Sequence, residues 1–90
     1  MAFPESFLQD LKMRNDITDV VSGYVNLKRQ GRNMVGLCPF HGEKTPSFNV
    51  YSESGSFYCF GCGVGGDVVS FIMRIENLDY VDAIKYLAQR

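Results

Sequence analysis

The chain has 90 residues, 46% of them hydrophobic and 21% charged, with a formal net charge of −1. That is the size of one small domain and excludes a two-domain enzyme. No run approaches the ~20 uninterrupted apolar residues of a membrane span, and the opening MAFPESFLQDLK lacks the basic-then-apolar order of a secretory signal, so the chain reads as cytoplasmic. A core this small is marginal and calls for a staple, for which 3 Cys and 1 His are available.

Residues 1–23 carry two short helical patterns. Pro4 opens the first, with Phe7, Leu8 and Leu11 on one face. Asp16 is the N-cap expected for the second, where Ile17, Val20, Val21 and Tyr24 fall at helical spacing and Gly23 marks the exit. From 24 to 62 the pattern changes to short alternating apolar pieces broken by Gly, Pro, Asn and Ser, which predicts an antiparallel sheet. Strands are expected at 25–27, 34–37, 47–51 and 56–59, with a basic turn over 28–33 and a hairpin through 52–55. The glycine run at 63–66 reads as punctuation. Residues 67–90 predict two more helices, capped by Asp67 and Asp79. Val68, Val69, Phe71, Ile72 and Ile75 form the apolar face of the first, which Asn77 ends, and Val81, Ile84, Leu87 and Ala88 that of the second. The sequence stops at Arg90, one turn from that face, and so reads as a fragment of a longer protein.

Cys38-Pro39-Phe40-His41 and Cys59-Phe60-Gly61-Cys62 are two ligand pairs, in the spacing C-x2-H-x17-C-x2-C. Two intervening residues let a tight turn aim both side chains at one ion. Glycines at 61 and 63 suit knuckles in which backbone N–H groups turn toward thiolate sulfur. A Cys3His set closes the tetrahedron and leaves no position for a catalytic water, so a zinc ion there is structural. A redox CxxC at Cys59 and Cys62 is the alternative, and it leaves Cys38 and His41 without a purpose.

The near-neutral total conceals a segregation of charge. Residues 1–23 have four acids against two bases, a net of −2; residues 24–49 have four bases against one acid, a net of +3; residues 50–90 have five acids against three bases, a net of −2. The basic window holds Lys28, Arg29, Arg32 and Lys44 and the first ligand pair, and lies near the aromatics Phe40, Phe48, Tyr51, Phe57, Tyr58 and Phe60. Cations for phosphates and aromatic faces for stacking are the usual means of holding single-stranded nucleic acid, here with modest affinity because the cations are few. No cluster of carboxylates suits two-metal nucleotidyl transfer, and helix capping accounts for Asp79 and Asp82.

GRNMVGLCPFHGEKTPSFNV, followed by CFGCGVGGDVVSFIMRIENLDYVDAIKYLA, resembles the N-terminal zinc-binding domain of bacterial, DnaG-type DNA primases over essentially the whole chain. The resemblance implies a small α+β fold, a zinc ribbon flanked by N- and C-terminal helices, preceding a separate RNA-polymerase domain. It implies a parent enzyme that makes RNA primers for DNA replication, with no catalytic centre in these ninety residues. Carried over by position, the ligands of one Zn2+ are Cys38, His41, Cys59 and Cys62, and the DNA-contact face is Lys28, Arg32, Lys44, Pro46 and Phe48. The implied partners are single-stranded template DNA, the polymerase domain of the same or a neighbouring primase, and the replicative helicase through regions outside these residues. Met34 departs from the family pattern, which has an aromatic there. A zinc ribbon docking on the polymerase domain, or a zinc–thiolate redox switch, are the competing functions.

Overall fold

The structure, a computed structural model, describes residues 3–41 and 45–90. Helix α1 (Glu5–Arg14) follows Pro4, whose extended backbone at φ −60° and ψ 146° delivers the chain into the first turn. Helix α2 (Ile17–Ser22) is capped as predicted, the Asp16 carboxylate accepting from the Thr18 and Asp19 N–H groups at 3.1 and 3.3 Å. The helix buries Ile17, Val20 and Val21 but ends before Tyr24. That residue instead leaves the helix and donates its hydroxyl hydrogen to Glu76 at 2.6 Å, with the Tyr86 hydroxyl 2.7 Å away. Burial, reinforced by the hydrogen bond to Glu76, holds the Tyr24 phenol well above its usual pKa, so it remains a donor at neutral pH.

The sheet has five strands in the order β1-β2-β3-β4-β5, every neighbouring pair antiparallel. They are β1 (Lys28–Gln30), β2 (Asn33–Gly36), β3 (Phe48–Tyr51), β4 (Ser56–Cys59) and β5 (Gly65–Asp67). Two expectations are corrected here. The first strand starts three residues later than predicted, because Lys28 and Arg29 pair with Val35 and Met34 instead of forming a turn. The reversal is confined to Gly31 and Arg32, with Gly31 at φ +65°, the conformation a two-residue hairpin demands at its first position. The glycine run is also a strand, since Gly65 and Gly66 pair with Tyr58 and Phe57. Backbone hydrogen bonding to β4, not side-chain pattern, makes it one.

Cross-strand partners share a face. The register places Met34, Gly36, Phe48, Val50, Phe57 and Cys59 on the inner face, and Lys28, Val35, Asn49, Tyr58 and Gly65 in one row on the outer. The inner face is covered by α2 and by α3 (Val68–Ile75), which buries Val68, Val69, Phe71 and Ile72. Phe71 is the hub, with ring centroids 5.6 Å from Phe40, 6.0 Å from Phe48 and 5.6 Å from Phe57. Met34 packs against this core from its edge.

Asp67 caps α3 by accepting from Ser70 N–H at 2.9 Å and also pairs with Lys12 of α1 at 2.9 Å. Asn77, at φ +55°, ends α3 as predicted, and Leu78 N–H reaches back to the Met73 carbonyl at 2.9 Å, the bond pattern of a Schellman stop. Asp79 then caps α4 (Tyr80–Ala88) by accepting from Asp82 N–H at 2.8 Å, as predicted, and Asp82 lies in the first turn of the helix. Buried Asn15 joins the ends of the chain, donating to Leu11 O and accepting from Arg90. Among the described residues no helix is long and apolar enough to cross a membrane.

Candidate metal centre

The first ligand pair follows β2 and the second begins at the last residue of β4, so two turns from the strands on either side of β3 meet at one end of the sheet. The ligand atoms of Cys38, His41, Cys59 and Cys62 all lie within 4.8 Å of one another. Two sulfurs bound to one zinc at ~2.3 Å sit about 3.8 Å apart along a tetrahedral edge. The Cys38 and Cys62 sulfurs are 3.8 Å apart, the distance such an ion requires. All three cysteines are free thiols. Cys38 and Cys59 are buried, His41 is half-buried and Cys62 is exposed, so the cluster is closed on its core side and reachable from solvent on the other.

The surroundings act differently on the two buried thiols. Burial pushes Cys38 up to about 12, offset in part by the Phe40 N–H that donates to its sulfur at 3.4 Å. Burial also opposes ionisation of Cys59, but the Ser47 hydroxyl, 3.5 Å from its sulfur, and the Cys62 and Gly61 N–H groups outweigh that and bring it down to about 7. A bound dication reverses such costs, because a coordinating thiol is deprotonated outright. The knuckle differs in one detail from expectation: Gly63 N–H donates to Cys59 O at 2.8 Å, and its φ of +78° closes the turn instead of serving a sulfur. The ligand spacing does not point to Ser47; its only signal in the sequence is a hydroxyl immediately before β3.

The aromatic Phe40 inside the first knuckle is partly buried, packed on Phe48, Phe57 and Phe71 at 6.0, 6.2 and 5.6 Å. The loop that presents Cys38 and His41 is therefore anchored in the core by its own side chain.

The sequence-derived contact face is divided by the fold. Lys28, on the outer face of edge strand β1, and Arg32, at the hairpin tip, are exposed. Arg32 stands 3.8 Å from Glu53, both more than four-fifths exposed, a pairing of little energetic weight. Pro46 is exposed and lines a groove of about 310 Å³ with Asn26, Lys28, Val35, Gly36 and Leu37. Lys44 lies outside the described residues. Phe48 corrects the expectation: it is 0% exposed, because its pairing with Gly36 and Cys59 turns the ring inward, where desolvation of an aromatic surface stabilises most. Phe57 is buried for the same reason, whereas Tyr58 and Phe60 are exposed.

A thiol-rich cluster joining two knuckles at the end of an antiparallel sheet defines the zinc-ribbon class. The CHC2 zinc finger family matches residues 3–90. The DNA primase of Geobacillus stearothermophilus is 54% identical over 87 residues, 97% of this chain and 15% of that protein. That of Pseudomonas putida is 51% identical over 86 residues, 96% of this chain and 13% of that protein. A crystal structure of the Aquifex aeolicus primase, comprising zinc-binding and RNA polymerase domains, superposes with a TM-score of 0.87 at 44% identity, covering 93% of this chain and 21% of that one. The chain belongs to the CHC2 zinc-finger family, the zinc ribbon of DnaG-type DNA primases, and spans about a seventh of the length of these curated relatives.

Proposed function

We propose that this zinc ribbon binds single-stranded template DNA on its outer sheet face and so helps a DNA primase select and hold the site where an RNA primer begins. Cys38, His41, Cys59 and Cys62 hold one structural Zn2+, and Lys28 and Arg32 contact phosphates, with Pro46 beside them. Lys44, which lies outside the described residues, is carried here from the sequence motif alone. The polymerase domain of the same or a neighbouring primase, and the replicative helicase through other regions, are its partners in the cytoplasm; the chemistry of primer synthesis belongs to the polymerase domain. The observation that carries this reading is that Lys28, on the outer face of β1, and Arg32, at the tip of the β1–β2 hairpin, are exposed cations on the sheet that ends in the ligand cluster. Phosphate contacts of this kind set register and weaken as salt rises.

Titration of the zinc-loaded chain with single-stranded DNA at several salt concentrations tests it. Each phosphate contact adds about 0.7 to the slope of log affinity against log salt, so Lys28→Ala and Arg32→Ala each flatten the slope by that amount and leave the circular dichroism unchanged. Affinity without a salt slope removes the template from the model. Exposed Leu37 in the groove beside Pro46 favours a second use of the same face, as a seat for an apolar side chain of the polymerase domain.

A further inference from the structure

The outer face holds an aromatic pair that the charge pattern does not explain. Phe60 is 69% exposed and Tyr58 39%, and their rings meet edge to face with centroids 4.9 Å apart. Large apolar rings left this open in a chain that buries its other sheet phenylalanines lose the benefit of desolvation. Both are held in place. A Cβ at Gly65 would come 2.8 Å from Tyr58 Cδ1, so the ring lies down on the bare backbone of β5, in space that only glycine leaves. Phe60 sits inside the second knuckle, where its N–H donates to Ser47 O at 2.9 Å and ligand residues stand on both sides of it.

The position of the pair is as informative as its exposure. Tyr58 shares a cross-strand row with Asn49, Val35 and Lys28. Three strand spacings separate Lys28 from Tyr58, about 14 Å. That matches about four nucleotides at the stacked rise of ~3.4 Å. Asn49 lies between them; one of its amide hydrogens is given to Ser47 O at 3.1 Å, which orients the amide and leaves its oxygen for a base edge.

We propose that Tyr58 and Phe60 form a stacking platform for an unpaired nucleobase at the metal end of the outer sheet face, with Asn49 beside it to contact the base edge. This rests on the template-binding reading above and adds to it the place where a base, as distinct from a phosphate, is held. A pre-set aromatic platform is sequence-tolerant by itself, so any base preference at this position comes from Asn49.

The test uses the zinc-loaded chain with two probes of about twelve nucleotides, oligo-dT and an abasic strand of equal length. The unaltered chain binds oligo-dT more tightly than the abasic strand. Tyr58→Ala and Phe60→Ala each weaken oligo-dT binding about tenfold, a change of about 1.4 kcal/mol, without altering abasic binding or the salt slope. Tyr58→Phe keeps the ring and stays within about twofold of the unaltered chain. Circular dichroism and zinc content establish that each variant is folded. Salt-dependent oligo-dT binding that Tyr58→Ala and Phe60→Ala leave unchanged overturns the platform alone. Absence of any oligo-dT binding by the unaltered chain overturns the template reading and the platform together.

Discussion

Replacing Phe40 by Ala probes how the metal centre depends on the core. Its ring is partly buried and makes three aromatic contacts, with Phe48, Phe57 and Phe71. Truncating a fully buried Phe costs about 3–5 kcal/mol, and aromatic pairs add ~0.5–1.5 kcal/mol each within that range of effects. Partial exposure scales the cost to about 2–3 kcal/mol. The ring lies between Cys38 and His41 in sequence, and metal binding in such sites is inseparable from folding, so the loss is read in the affinity for zinc. A cost of that size corresponds to about 30- to 150-fold weaker apparent binding. Competition against a chelator of known affinity, followed by metal release, measures it. Phe40→Leu keeps much of the apolar volume and loses less. If Phe40→Ala holds zinc as tightly as the unaltered chain, the knuckle assembles without the aromatic core and the two are not coupled.

Two further outcomes follow from the same structure. Structural zinc contributes on the order of 10–16 kcal/mol in small metal domains, comparable to or larger than the ~5–15 kcal/mol net stability of whole proteins, so chelation should collapse the far-UV circular dichroism signal. A spectrum unchanged after the metal is stripped refutes the structural role. The second concerns Asp67, where burial opposes ionisation but the Ser70 N–H and Lys12 prevail and hold the carboxyl below its usual pKa. A group lowered in this way contributes its stability above the unfolded value of ~3.9 and loses it as pH falls through the folded value. Asp67→Asn can still accept from Ser70 but cannot titrate, so its denaturant midpoint should fall less steeply than that of the unaltered chain below about pH 5, the zinc ligands being common to both. Parallel curves for the two proteins would exclude the contribution.

The features legible in the sequence are those that depend on few neighbouring residues. The caps Asp16, Asp67 and Asp79 act on N–H groups two or three positions ahead, and each is found where the pattern placed it. A two-residue gap similarly determines that Cys38 can aim with His41 and Cys59 with Cys62, and the structure brings both pairs within 4.8 Å. Family membership was legible for the same reason, being carried by the contiguous runs CPFHGEKTPSF and CFGCGVGGD.

What the sequence left open are the choices that belong to pairing and to sidedness. Alternation along 47–51 and 56–59 says that each strand has two faces, but not which one the helices will cover. Only the register with Gly36, together with α3 placing Phe71 over the sheet, decides that Phe48 and Phe57 are core and that Tyr58 is surface. Strand β5 could not be read at all, because a glycine run has no side-chain signal and acquires its structure from the hydrogen bonds that β4 offers it. Composition and spacing thus determined a small zinc-ribbon domain with two ligand pairs and a basic window. Which of its aromatics stay exposed was decided by tertiary packing, since burial depends on what lies across the sheet and not on what lies next in the chain.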